Sequence, residues 1–135
     1  MDSLERYTSW FRGSTPYISA HRGKTFVVFL GGDALMHSNL VNIVHDLALL
    51  SVLGVRLAIV HGARPQLNDA LNDSLFHDGR RITSASQMQE VSAIFGALRA
   101  KLEALFSTGL PNTPLHNVEI NIVSGNFIAA QPVGI

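Results

Sequence analysis

Phe26-Val-Val-Phe-Leu30 is an apolar run with no polar alternation, the pattern of a strand covered on both faces in a parallel sheet. Gly31-Gly32 ends it. Ser38 is a candidate cap for a helix whose apolar face is Leu40, Val41, Ile43, Val44, Leu47, Leu50 and Leu53, with Gly54 as its terminating residue. Val55 to Val60 returns as a second strand. Strand, glycine turn, helix and strand in this order predict a right-handed βαβ unit with parallel strands over residues 25–60.

Before this unit, Leu4, Tyr7, Trp10 and Phe11 make an apolar stripe at helical spacing. Gly13 and Pro16 are expected to interrupt it, leaving a short amphipathic helix and a second turn around Tyr17 to His21. After the unit, Pro65 suits the first position of a helix that continues to about Leu71, and Asp78-Gly79 predicts a hairpin over residues 75–83. Ser84 or Ser86 is expected to start the longest helix, with Met88, Val91, Phe95, Leu98, Leu102 and Leu105 inward and Gly109 stopping it. Val118 to Val123 alternates like a strand, with Phe127 to Gln131 as its hairpin partner.

The composition narrows the function classes. Ten Lys and Arg balance ten Asp and Glu, so no basic footprint for a nucleic-acid backbone is expected. The absence of cysteine excludes disulfides and thiolate chemistry and fits a cytoplasmic setting. No stretch approaches the roughly 20 apolar residues that span a bilayer, so no membrane partner is expected. Only 15% of the 135 residues are charged, against about 25% in ordinary domains, which suggests an oligomer or a piece of a larger chain.

Ligands of open α/β sheets bind beyond the carboxyl ends of the strands, where helix N-termini present backbone N–H groups to anions. Gly31-Gly32 and Gly62-Ala63 occupy that place, with Arg64 and Arg81 as candidates for the rim of a carboxylate or phosphate pocket. Glycines serving only tight turns would look the same. Neither a dinucleotide fingerprint nor a phosphate-loop motif is present. His37 and His45 lack a third ligand at a supporting spacing, so no metal is expected, and His61 reads more simply as a turn-holding residue than as an acid or base.

Five ordered motifs carry a resemblance: R-G-K-T-F-V-V-F-L-G-G at Arg22 to Gly32, H-G-A-R-P-Q at His61 to Gln66, R-R-I-T at Arg80 to Thr83, N-T-P-L at Asn112 to Leu115, and V-S-G-N-F-I-A-A-Q-P at Val123 to Pro132. With P-Y-I at Pro16 to Ile18, they resemble the amino-acid-kinase-like domain of the bacterial N-acetylglutamate synthases, covering the first half of that domain. The resemblance implies an α/β fold, a partial amino-acid-kinase-like sheet, mainly parallel and flanked by helices. It also implies a chain organised as an N-terminal helical segment, 1–21, at an oligomer contact, and a kinase-like half domain, 22–135.

In the related acetylglutamate kinases the first strand carries K-L-G-G, whose lysine stabilises the transferring phosphoryl group. Here that position is Phe29, and phosphoryl transfer without such electrostatic help is not expected. Lys24 lies about five residues upstream, roughly 16 Å at ~3.3 Å per residue, and cannot substitute. The resemblance implies no catalytic residue in this piece. It implies instead a domain that senses L-arginine, while a separate C-terminal domain transfers the acetyl group of acetyl-CoA to glutamate. Tyr17 matches the segment that approaches the arginine site, though plain packing would also suit a tyrosine. Tyr7, Trp10 and Phe11 match a helix that packs between subunits of a hexamer, the alternative being a helix folded back on its own core. Arg81-Ile-Thr matches a substrate-holding arginine of the kinases. The competing readings are an acylamino-acid kinase, and a stand-alone binding module, which the half-sheet left open after Gln131 argues against.

Overall fold

The computed structural model describes residues 2–108, so the expected strands at Val118 to Val123 and Phe127 to Gln131 lie outside the described residues. Two parallel strands, β1 (Thr25–Leu30) and β2 (Arg56–His61), pair in register from Thr25 against Arg56 to Leu30 against His61. The helix α3 (Leu40–Val52) crosses between them, so the expected βαβ unit is formed. Gly54 adopts φ +95°, the left-handed turn that lets α3 stop and the chain reverse into β2. Asn39, not Ser38, occupies the N-cap, because the chain turns through residues 37–39 before the helix begins.

A helix that sequence periodicity missed, α2 (Gly32–Met36), follows Gly31 directly. The helix α4 (Arg64–Ala70) starts just after β2, with Ala63 at its N-cap and Pro65 in its first turn. An antiparallel hairpin follows, β3 (Leu75–His77) and β4 (Arg80–Ile82), and its turn residues Asp78 and Gly79 have φ +47° and +73° as a two-residue primed turn requires. The longest helix, α5 (Met88–Ser107), begins later than Ser84 or Ser86: those residues form a turn in which Gln87 Oε1 accepts the Ser84 N–H.

The core lies on one face of the sheet. Leu30, Leu35, Leu40, Val44, Leu47, Leu102 and Phe106 form one buried cluster, with Val28, Leu57 and Ile59 of the strands packed against it. Along β1 and β2 burial alternates, and past Thr25 and Arg56 at the strand starts the outward residues are apolar as well: Val27 is 73% exposed and Phe29 69%. The expected coverage on both faces is therefore not found among the described residues, where α2, α3 and α5 share one side. On α5 the inward residues are Val91, Ile94, Leu98, Leu102, Leu105 and Phe106. Met88 and Phe95 are exposed instead, since a straight helix turns them away from α3, as is Val41 on α3 itself.

The first helix, α1 (Ser3–His21), runs without a break through Gly13 and Pro16. The expected interruption fails for a local reason. Pro16 removes the donor to the Arg12 carbonyl and crowds it with its ring, but Arg12 is exposed, so that carbonyl can tilt outward and be served by water. Asp2 N–H donates to Glu5 Oε2 at the start, as in a capping box. None of its residues is buried. Its end is tied to the body by the edge-on contact of His21 with Phe26, 5.4 Å between ring centroids, and by the Arg22 side chain lying over Gly54.

Candidate functional site

The parallel pairing of β1 and β2 brings their carboxyl ends side by side, so the turns Gly31-Gly32 and Gly62-Ala63 abut. Gly62 N–H donates to Leu30 O at 2.8 Å, which extends the strand pairing by one bond into the second turn. Gly32 sits where α2 and α4 meet. A Cβ on it would stand 2.5 Å from Gln66 Oε1, 2.6 Å from Pro65 Cδ and 3.0 Å from Ala63 Cα, so only glycine fits between these elements. A Cβ on Gly62 would stand 3.4 Å from the Gly32 nitrogen, which shows how closely the two turns approach.

Both turns open helices. Gly31 caps α2 in extended backbone, and Ala63 caps α4. First-turn N–H groups of two short helices thus stand at the strand ends, the arrangement that favours a carboxylate or phosphate. Gly31, Gly32, Gly62 and Ala63 are brought together there, and Arg64 follows as the exposed first residue of α4.

Arg81 is held elsewhere. Its guanidinium donates to Ser74 Oγ and Asn68 Oδ1, and its Cζ lies 4.8 Å from the centre of the Phe76 ring. It therefore ties the β3–β4 hairpin to α4, with one bond from each terminal nitrogen of the guanidinium. The His61 ring packs 5.9 Å from the Phe95 ring and its Nδ1 lies 3.4 Å from Gly62 O, which fits a turn-holding part.

Phe29 borders the second turn, with its Cζ 3.6 Å from the place of a Cβ on Gly62. Lys24 precedes β1 at its other end, where its carbonyl accepts the Arg56 N–H. Among the described residues no three His, Cys, Asp or Glu side chains gather to hold a metal ion, and no helix is long and apolar enough to cross a membrane.

The aromatic residues of α1 form a separate surface. Tyr7 and Trp10 lie 6.2 Å apart between ring centroids, Trp10 is 66% exposed, and Phe11 and Leu4 are exposed beside them. Tyr17 is 70% exposed near the other end of the same helix.

Two contacts at this site were invisible to sequence reasoning. Gln66 Nε2 donates to Gly32 O at 2.7 Å, and Lys101 Nζ donates to Leu35 O at 2.8 Å. Gln66 belongs to the quoted H-G-A-R-P-Q motif, which is the one signal that singled it out; Lys101 had none.

The sequence profile of the amino acid kinase family matches residues 24–133. The amino-acid acetyltransferase of Proteus mirabilis (strain HI4320) is 48% identical over 129 residues, which make up 93% of this chain and 29% of that protein. The amino-acid acetyltransferase of Yersinia pseudotuberculosis serotype O:1b (strain IP 31758) is 50% identical with the same coverage. The crystal structure of N-acetylglutamate synthase from Neisseria gonorrhoeae, complexed with coenzyme A and L-arginine, superposes with a TM-score of 0.81 at 30% identity, over 96% of this chain and 31% of that one. The chain thus spans less than a third of the length of the relatives it matches.

Proposed function

This chain belongs to the amino acid kinase family, and we propose that it is the opening part of an N-acetylglutamate synthase, the enzyme that joins the acetyl group of acetyl-CoA to L-glutamate at the start of arginine biosynthesis. The observation that carries this reading is the 48% identity to an amino-acid acetyltransferase across 93% of the chain. In this reading residues 1–21 form an oligomer-contact helix and 22–135 the first half of the kinase-like domain, a regulatory and assembling part without catalytic residues of its own. The acetyl-CoA site belongs to a later domain of the parent protein, which works in the cytoplasm.

Three features support this division of labour. Phe29 brings an uncharged ring to the strand end, where phosphoryl transfer needs positive charge. The cradle of Gly31, Gly32, Gly62 and Ala63, with Arg64 beside it, keeps the form of an anion site without that chemistry. The apolar stripe of Tyr7, Trp10 and Phe11 on an unburied helix suits contact with a second copy in a ring, a hexamer by resemblance.

L-arginine is the proposed allosteric ligand, with Tyr17 as a contact from α1. The test is the acetyltransferase activity of the parent protein, followed by release of coenzyme A with and without L-arginine. A change in rate or in the glutamate dependence is expected; an activity indifferent to L-arginine at saturating concentration counts against the sensing role.

A further inference from the structure

α2 is five residues long, too short to sustain itself, because a helix repays its nucleation only over several turns. Yet Gly32 and Leu35 are buried, and Gly31 at its head forms the first turn of the cradle. Two side chains from distant helices close on its backbone. Gln66 of α4 donates to Gly32 O at 2.7 Å, and Lys101 of α5 donates to Leu35 O at 2.8 Å. We propose that Gln66 and Lys101 are positioning residues, a two-point clasp that fixes α2 and through it the backbone of the Gly31-Gly32 turn.

The chemistry at each end is different. Lys101 brings an ammonium group to the C-terminal end of α2, where carbonyls lack intrahelical donors and the helix dipole is negative. A charged donor there is stronger than a neutral one. Gln66 has a single acceptable amide orientation: turning it over would set its carbonyl oxygen against Gly32 O. Its Oε1 has no hydrogen-bond partner, and any side chain at position 32 would collide with it. The clasp thus spans three helices, α2, α4 and α5, and makes the shape of the first turn depend on residues 34 and 66 positions further along the chain.

The assignment of this turn as part of an anion cradle rests on the proposed function; the clasp itself does not. The experiment is backbone amide hydrogen exchange on the full chain, comparing the wild type with Gln66→Met, Lys101→Met and Lys101→Arg. Loss of either donor is expected to speed exchange of the α2 amides roughly tenfold, the equivalent of about one charged or well-placed hydrogen bond, with α3 amides unchanged. Lys101→Arg keeps a cationic donor and is expected to retain most of the protection. Unchanged α2 exchange in both Met variants, or acceleration spread evenly over α3 and β1, overturns the clasp. If Lys101→Met does not fold, Gln66→Met and Lys101→Arg decide: unchanged α2 exchange in the first, or an unprotected α2 in the second, overturns the clasp. An L-arginine-insensitive parent enzyme would remove the proposed ligand role and leave the exchange result standing.

Discussion

The Phe29 ring lies against the backbone of the second glycine turn, its Cζ 3.6 Å from where a Cβ on Gly62 would stand. The residue one strand-step from the cradle is therefore an uncharged aromatic, on the sheet face opposite the buried core.

Phosphotransfer is expected to be absent as a consequence. Incubating the parent protein with ATP and N-acetyl-L-glutamate should release ADP no faster than buffer, as read by a coupled ADP assay. Turnover above that background would favour an acylamino-acid kinase, and Phe29→Lys would then change little.

Gly32→Ala and Gly13→Ala should act in opposite directions. At position 32 the added methyl meets Gln66, Pro65 and the Ala63 backbone, an overpacking that costs about 1–3 kcal/mol in urea denaturation. At position 13 it meets nothing within 4 Å, and the better helix former should favour α1 by about 1 kcal/mol, visible as increased helicity by circular dichroism.

Phe106→Ala removes a ring that is 1% exposed at the junction of α5 with the core cluster. A loss of about 3–5 kcal/mol is expected from the transfer and cavity terms together. A loss of unfolding free energy below about 1 kcal/mol would mean that α5 does not pack as described.

Trp10 is the single tryptophan of these 135 residues, and in the parent protein the difference in fluorescence between wild type and Trp10→Phe isolates its emission. In the assembled parent its emission should lie to the blue, and dilution or Tyr7→Asp should move it to the red while sedimentation shows smaller particles. Emission already red in a stable oligomer would place the subunit contact elsewhere.

Much of this architecture was legible in the sequence because its signals are local. Phe26 to Leu30, the apolar spacing of Leu40 to Leu50 and the turn at Gly54 are each read within a few residues, and Asp78-Gly79 fixes the hairpin by its own φ values. What was not legible has other causes. α2 is too short to show a period, and whether a proline such as Pro16 breaks a helix depends on surroundings that its own sequence position does not state. The covering of β1 on one face depends on which elements reach the sheet, which an apolar run does not state. The placing of Arg81 with Ser74 and Asn68, and of Lys101 on Leu35, joins residues whose spacing carries no pattern. The motif residues Gly31, Gly32, Gly62 and Ala63, by contrast, meet because parallel strands in this register leave them no other place.

The order of the core along the chain has a consequence for synthesis on the ribosome. Everything needed to pair β1 with β2 has been made once His61 emerges, but Leu102 and Phe106, which close the same core cluster, come more than a helix and a hairpin later. During that interval the apolar stripe of α3 is without its final neighbour, in a nascent chain already able to form its first sheet. Apolar surface left open in this window is a liability to aggregation, and slow translation between residues 62 and 101 would lengthen its exposure.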